Sequence, residues 1–186
     1  MQCLMIIRHA EKPDADGNTA VNESGQADPR SLIPRGWQRA GAWAELFQPS
    51  LGQQTKLPRP AAIFASAPAK QHDDNGSKSR RPLETVSPLA AKLGIAVDTR
   101  FSKGDEQALA AEIGGLDGVV LVCWQHEDIP AIAAALAPAP AGVPARWPDS
   151  CFNVIFRFDR ADQDSPWAFQ QVVPVMLAGD EPNPMP

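Results

Sequence analysis

The chain has 186 residues, of which 44% are hydrophobic, and it carries a formal net charge of −5. This length suits a single domain with a sizeable core of sheet and helices. No basic excess is present to neutralise phosphates, which argues against a general nucleic-acid or membrane-surface binder. Because no apolar stretch approaches membrane-spanning length and the first residues show no signal-peptide pattern, we expect a cytoplasmic protein.

The hydrophobic pattern predicts strands and helices that alternate along the chain. The predicted strands cover residues 3–8, 61–66, 95–97, 118–124, 152–158 and 168–176, and the predicted helices cover residues 36–47, 83–93, 106–113 and 129–136. Strand–helix alternation is typical of a mostly parallel sheet with helices on both faces, so we predict a three-layer α/β sandwich. The last two strands are expected to pair antiparallel, and Pro88 is expected to kink or divide its helix.

One domain is expected to span residues 1–178, with residues 179–186 forming a flexible tail. The three cysteines, Cys3, Cys123 and Cys151, are odd in number and lack C-x-x-C spacing. We expect them to be small buried residues in a reducing compartment rather than metal ligands or disulfide partners.

Basic side chains follow the strands at three places. Arg8 and His9 come directly after the first strand, Arg80 and Arg81 open the helix after the second, and His126 follows the apolar strand 118–124. In a parallel sheet these connections share the carboxyl edge, so the residues are expected to converge there. Solvated arginines and packed histidines are the alternative at each position taken alone. The joint pattern favours a site for an anion such as phosphate.

Three segments carry a resemblance to a known family. Residues 7–11 (IRHAE) resemble the R-H-G/A-E signature of the histidine phosphatase superfamily, which includes the phosphoglycerate mutases. Residues 81–85 (RPLET) resemble the downstream R-x-x-x-T segment of that family, and residues 120–126 (VLVCWQH) are similar to its later apolar strand ending in a second histidine. The motifs occur in order over about residues 3–158. The resemblance implies a phosphoglycerate mutase-like fold.

The resemblance also implies the roles of the site residues. His9 would be the nucleophile that takes the phosphoryl group onto its ring, and water would then hydrolyse the phosphohistidine. Arg8, Arg81 and His126 would surround the phosphoryl oxygens. Positive donors around three equatorial oxygens supply the stabilisation that phosphoryl transfer needs, so we expect no metal and no cofactor.

The proton donor is the least defined member of the site. At the position where the mutase-like branch has a glutamate, this chain has Lys103, and Asp105 and Glu106 are out of register. In the acid-phosphatase branch the acid directly follows the second histidine, as Glu127 does here, so Glu127 is favoured over Asp105 and Glu106. A site without a dedicated proton donor is the other alternative. Trp124 is expected to lie near the substrate.

These residues predict a histidine phosphatase that hydrolyses a phosphate monoester, either a small phosphorylated substrate or a phosphorylated protein. The pocket would be formed by residues 12–34 and 66–80, which carry charges of both signs. A phosphoglycerate mutase-type phosphotransferase and a catalytically inactive phosphate-binding module are the alternatives. The sequence does not indicate the oligomeric state.

Overall fold

The computed structural model describes residues 1–14, 17–50, 55–68, 78–137 and 142–186. Within these ranges, strands and helices follow one another in the predicted order. Their bounds are β1 (Gln2–Arg8), α1 (Pro34–Phe47), β2 (Ala62–Ala65), α2 (Arg81–Leu93), β3 (Val97–Asp98), α3 (Glu106–Gly114), β4 (Gly118–Trp124), α4 (Ile129–Leu136), β5 (Ile155–Arg160) and β6 (Ala168–Val172). β4 and α4 begin and end at the predicted residues, whereas the other elements differ from prediction by a few residues at their ends.

The strands form one sheet in the order β3-β2-β4-β1-β5-β6. The first four of these are mutually parallel, while β5 is antiparallel to β1 and β6 is antiparallel to β5. The predicted mostly parallel sheet with a final antiparallel pair is therefore confirmed. Arg8 pairs with Trp124 in register, so β1 and β4 end side by side. Side chains that follow these two strands emerge at one edge of the sheet.

Alternate residues of the central strands face opposite sides of the sheet and enter two separate cores. Met5 and Ile7 of β1 join a core formed with α1 and α2, which includes Trp43. Leu4 and Ile6 join a core formed with α3 and α4. Because helices cover both faces, β1 is buried at every position, which explains its continuous apolar run. The result is the predicted three-layer sandwich.

Helix α2 passes through Pro88 without being divided. Val86 and Leu89 on either side of the proline are buried in the core that α2 shares with α1. This packing keeps the helix continuous, although proline cannot donate its backbone hydrogen bond. The helix ends at Leu93, and Gly94 caps it in the left-handed conformation with a φ of 69°.

Asp180, Glu181 and Met185, in the segment 179–186 that the sequence predicts to be a flexible tail, contact the rest of the domain. Oδ1 of Asp180 lies 2.7 Å from Nη2 of Arg39 on α1. Met185 is only 5% exposed, and its backbone exchanges hydrogen bonds with the side chain of Gln171 on β6. The prediction rested on the terminal position of the segment, which does not reveal partners that are distant in sequence.

Candidate active site

His9 follows directly after β1 and is held there by the backbone of β4. Its backbone N–H donates to the carbonyl oxygen of Trp124 over 3.0 Å, which extends the β1–β4 hydrogen bonding by one residue. The side-chain Nδ1 lies 2.7 Å from the carbonyl oxygen of Ala10. Because a carbonyl oxygen only accepts hydrogen bonds, Nδ1 carries the proton and Nε2 carries the lone pair. Nε2 is therefore the atom that can attack an electrophile.

The surroundings of His9 keep its ring uncharged. Burial lowers the pKa of His9 to about 3, and the positive charge of Arg8 acts in the same direction. The hydrogen bond to Ala10 opposes this shift, while Arg81 and His126 add to it. At neutral pH the imidazole is unprotonated at Nε2 and is available as a nucleophile.

Arg8 is buried, and only part of its guanidinium is paired. Nη1 donates to the carbonyl oxygens of Pro148, Asp149 and Cys151 over 3.1, 2.7 and 3.3 Å. The ring of Phe152 lies 3.9 Å from the guanidinium carbon. Nε and Nη2 are buried and have no hydrogen-bond partner in the part of the chain that the structure describes. Burial lowers the pKa of Arg8 to about 10, so at neutral pH it offers a charged pair of donors that suits an oxyanion.

Thr85 on α2 holds the backbone directly after the nucleophile. Its Oγ1 accepts the N–H of Ala10 over 2.8 Å and donates to the carbonyl oxygen of Arg81 over 2.7 Å. The side chain is fully buried. The R-x-x-x-T spacing therefore has a physical reason: one helical turn joins the arginine at the start of α2 to the hydroxyl that fixes the loop of His9.

Arg81 is the first residue of α2, and its guanidinium binds the end of the connection between β1 and α1 (residues 9–33), which we call the long loop. Nε and Nη2 donate to two carbonyl oxygens of residues 29–31 over 3.1 and 2.6 Å. Burial lowers the pKa of Arg81, which nevertheless stays charged at neutral pH. Its charge acts on His9, whose pKa it lowers. Arg80 instead lies at the rim, 39% exposed and paired with Glu23 at 3.0 Å.

His126 is the second residue after β4, and its ring lies beside that of His9. The ring centroids are 6.2 Å apart and the planes are nearly perpendicular, at 85°. Nε2 of His126 is 2.5 Å from Oδ1 of Asp149. Nδ1 is 2.9 Å from Oε2 of Glu127, but the angle is not that of a hydrogen bond. Burial and the charge of Arg8 lower the pKa of His126, against the opposite effect of the two carboxylates.

Glu127, which the sequence favours as the proton donor, is paired with a basic side chain. Its Oε1 lies 2.7 Å from Nζ of Lys103. Burial alone would raise the pKa of Glu127, but the hydrogen bond and charge of Lys103, followed by the charge of His126, lower it to about 2. The carboxylate is therefore ionised at neutral pH. Its assignment as donor stays a prediction.

The other two carboxylates considered as donors support the start of α3. Asp105 accepts the backbone N–H and the hydroxyl of Ser102 over 2.9 and 3.0 Å. Glu106 accepts the indole N–H of Trp124 over 3.0 Å and the N–H of Gly104 over 2.9 Å. Trp124 is fully buried in the core formed with α3 and α4. That it lies near the substrate stays a prediction.

Glu11, two residues after His9, anchors the start of the long loop. Its carboxylate accepts hydrogen bonds from Nε and Nη2 of Arg39 over 2.9 and 2.7 Å, and it pairs with Arg35 at 3.2 Å. Arg39 is itself only 2% exposed and also binds Asp180. The buried guanidinium of Arg39 thus pairs with two carboxylates, and it connects the loop that follows His9 to the C-terminal residues.

A cleft of about 650 Å³ is lined by Glu11, Arg39 and Asp149, among others. Lys12, Arg35, Asp149 and Glu181 are among the charged residues that line it, so it offers charges of both signs to the remainder of a substrate. Residues of the segment 12–34 line this cleft, whereas none of the described residues of the segment 66–80 does. The assignment of the substrate pocket to these segments stays a prediction. Residues 15–16 and 69–77, which belong to the predicted pocket loops, lie outside the described residues.

Sequence reasoning missed the segment that follows α4. Asp149 contacts His126, and Phe152 stacks on Arg8, yet both follow a Pro/Ala-rich stretch that predicts only a connection. The single signal in the sequence is an aromatic residue at the start of the predicted strand 152–158. It indicates a packing contact, but it does not identify which basic residue the ring contacts.

The three cysteines are free thiols, and burial raises the pKa of each of them, that of Cys3 to about 12. They are therefore protonated at neutral pH. Among the described residues, no cluster of three or more histidine, cysteine, aspartate or glutamate side chains is arranged to hold a metal ion. In the same part of the chain, every helix is too short or too polar to span a membrane.

No family model matches the chain, and no curated protein sequence matches it. Solved structures match it over nearly their whole length. The chain is similar to a candidate phosphohistidine phosphatase, SixA, from Nakamurella multipartitia, with a TM-score of 0.54, 16% identity and coverage of 95% of this chain and 97% of that one. It is also similar to a mycobacterial glucosyl-3-phosphoglycerate phosphatase bound to VO3, with a TM-score of 0.54, 19% identity and coverage of 93% and 98%.

A third match is the phosphoserine phosphatase from Entamoeba histolytica in complex with 3-phosphoglyceric acid. Its TM-score is 0.56 and its identity 13%, with coverage of 94% of this chain and 98% of that one. The chain therefore has the histidine phosphatase, or phosphoglycerate mutase-like, fold. The three sequence motifs predict this fold, and the comparison confirms it.

Proposed function

We propose that the protein is a histidine phosphatase that hydrolyses a phosphate monoester through a phosphohistidine on His9. The observation that carries the proposal is the state of the His9 ring. Nδ1 is committed to the carbonyl oxygen of Ala10, and burial keeps Nε2 unprotonated at neutral pH. A neutral imidazole held in one tautomer is a prepared nucleophile for phosphorus.

The charges around His9 support the same chemistry. Nε and Nη2 of Arg8 are buried without a hydrogen-bond partner among the described residues, and the charges of Arg8 and Arg81 lower the pKa of His9. Phosphoryl transfer spreads negative charge over three equatorial oxygens, so fixed donors at these positions stabilise the transition state. In this proposal the guanidinium groups supply the positive charge, and catalysis needs no bound metal.

The second half of the reaction would release inorganic phosphate. Water attacks the phosphohistidine, the P–N bond breaks and its electron pair returns to Nε2 of His9. A carboxylic acid group beside His126 would protonate the leaving oxygen in the first half. The sequence favours Glu127 for this step, and an E127Q variant tests that prediction.

The comparisons support a phosphatase without selecting its substrate. Their names mention phosphohistidine, glucosyl-3-phosphoglycerate and phosphoserine, which differ widely beyond the phosphoryl group. A cleft with charges of both signs suits either a small phosphorylated metabolite or a segment of a phosphorylated protein. The expectation of a cytoplasmic enzyme belongs to the same proposal.

The first test is turnover of p-nitrophenyl phosphate by the purified protein with and without a chelator. We expect equal rates in both conditions and a loss of at least about 10³-fold for His9→Gln. A folded His9→Gln variant with substantial activity would remove the mechanism. Transfer of phosphate between the positions of a phosphoglycerate, faster than its hydrolysis, would indicate the mutase alternative. Binding of phosphate without turnover would indicate the inactive module.

The adjacent arginines offer a matched pair of variants. Arg81→Gln should lower kcat/KM by about 10²-fold, because a charged donor to the transition state is lost. Arg80→Gln, which removes a rim residue paired with Glu23, should change kcat/KM by less than about threefold. Equal effects of the two substitutions would contradict the placement of Arg81 at the phosphoryl group.

A further inference from the structure

The segment between α4 and β5 is fixed against the phosphate-binding arginine. Nη1 of Arg8 binds three of its carbonyl oxygens, including that of Asp149 over 2.7 Å. The indole N–H of Trp147 donates to the carbonyl oxygen of Cys151 over 2.8 Å, and the ring of Phe152 covers the guanidinium. The backbone of Asp149 is therefore placed by the same cation that we assign to the phosphoryl group.

The carboxylate of Asp149 contacts His126, one of the two histidines of the site. Oδ1 is 2.5 Å from Nε2 of His126, while the side chain as a whole remains 86% exposed. It also lines the cleft, which is the space open to the part of a substrate beyond its phosphoryl group. Asp149 therefore contacts His126, which we expect to bind a phosphoryl oxygen. From the same position its carboxylate would face the leaving group of a bound ester.

We propose that Asp149 is the catalytic residue that protonates the leaving group in the phosphatase reaction, an inference that rests on the proposed function. When a phosphate ester enters, Nε2–H of His126 transfers its hydrogen bond from Asp149 to a phosphoryl oxygen. The released carboxyl group is then free to face the leaving oxygen of the ester.

In the first half of the proposed reaction the phosphoryl group moves from the ester to His9. Nε2 of His9 forms a bond to phosphorus, the P–O bond to the leaving group breaks, and its electron pair remains on the ester oxygen. The carboxylic proton of Asp149 passes to that oxygen, which gives the free alcohol and a carboxylate. In the second half the carboxylate takes a proton from the attacking water, the P–N bond breaks, and phosphate leaves.

The contacts of the other carboxylates favour Asp149 as the donor. Glu127 is held ionised by Lys103, and Glu106 and Asp105 support the start of α3. The carboxylate of Asp149 meets only His126 in an ion pair among the described residues. Of these four carboxylates, Asp149 is the one that lines the cleft.

The test compares kcat/KM for p-nitrophenyl phosphate and for an alkyl phosphate such as glycerol phosphate. General acid catalysis contributes about 10²–10⁴-fold, and p-nitrophenolate leaves readily without a proton. We expect Asp149→Asn to lose about 10²–10⁴-fold on the alkyl ester and less than about fivefold on the aryl ester. Glu127→Gln should affect both esters to a similar extent. Asp164→Asn, at an exposed aspartate of the β5–β6 connection outside the cleft lining, should change neither rate by more than about twofold.

Each remaining outcome overturns the proposal. Equal losses of Asp149→Asn on both esters would show a structural role only, and faster turnover of both would show a carboxylate that blocks His126. A selective loss on alkyl esters in Glu127→Gln would assign the proton to Glu127. A different result would contradict the proposed function itself: wild-type protein that does not turn over the aryl ester, or turnover that does not depend on His9.

Discussion

Gly36 on α1 allows the helix to approach the loop that carries the nucleophile. A Cβ atom built at Gly36 would lie 2.6 Å from the carbonyl oxygen of Glu11 and 3.1 Å from its backbone nitrogen. Gly41 is in the same helix, and a Cβ atom there would meet nothing within 4 Å. The two glycines therefore give a matched pair for the substitution to alanine.

Opposite effects on stability are expected from the pair. Overpacking against backbone costs about 1–3 kcal/mol, and the helix preference of alanine returns at most about 1 kcal/mol, so Gly36→Ala should lower the free energy of unfolding by about 1–2 kcal/mol. Gly41→Ala should raise it by about 0.5–1 kcal/mol. Because Glu11 is two residues after His9, Gly36→Ala should also lower kcat, whereas Gly41→Ala should not.

Urea unfolding followed by circular dichroism measures both stabilities, and equal m-values would show that the comparison is valid. A difference of about 2 kcal/mol corresponds to roughly 4–8 °C between the two melting temperatures for a domain of this size. If Gly36→Ala were as stable and as active as Gly41→Ala, the close approach of α1 to the loop of His9 would be refuted.

Three further predictions concern the hydrogen bonds and charges of the site. Thr85→Val leaves the buried N–H of Ala10 unpaired and should lower the free energy of unfolding by about 1–3 kcal/mol in a urea melt. Burial alone would raise the pKa of Asp180, but hydrogen bonds from Arg39 and two backbone N–H groups lower this pKa below its usual 3.8. The ionised carboxylate therefore stabilises the folded protein at neutral pH, and this stabilisation is lost as pH falls through the pKa of the folded state. The difference in stability between wild type and Asp180→Asn should accordingly shrink between pH 6 and pH 3. In ¹⁵N NMR the ring of His9 should stay in the neutral Nδ1–H form from pH 8 to about pH 4, because burial lowers its pKa to about 3; a midpoint near 6.5 would contradict this.

Local sequence patterns predict most of the fold. The apolar run of β4 and the alanine-rich α4 have the predicted bounds, because burial and periodicity are properties of the residues themselves. Pro88 shows the limit of such reasoning, since tertiary packing keeps α2 in one piece. The docking of Met185 shows another limit, because its contacts depend on residues far away in sequence.

Part of the candidate site could also be predicted, because the position of some of its residues depends only on the strands that they end or follow. Arg8 is the last residue of β1, and His9 and His126 follow parallel strands, so the topology alone brings them to one edge. The sequence could not place Asp149, which follows an irregular connection whose path depends on three backbone contacts to Arg8. It also could not show that Trp124 is buried, since a tryptophan near a strand end suits a pocket wall and a core equally well.

Trapping the phosphorylated enzyme tests the central claim most directly. Wild-type protein mixed with ³²P-labelled ester and quenched in alkali within milliseconds should carry an acid-labile label, which peptide mapping should assign to His9. His9→Gln should carry none. Steady turnover of the ester without any such label, or a label on another residue, would contradict the account.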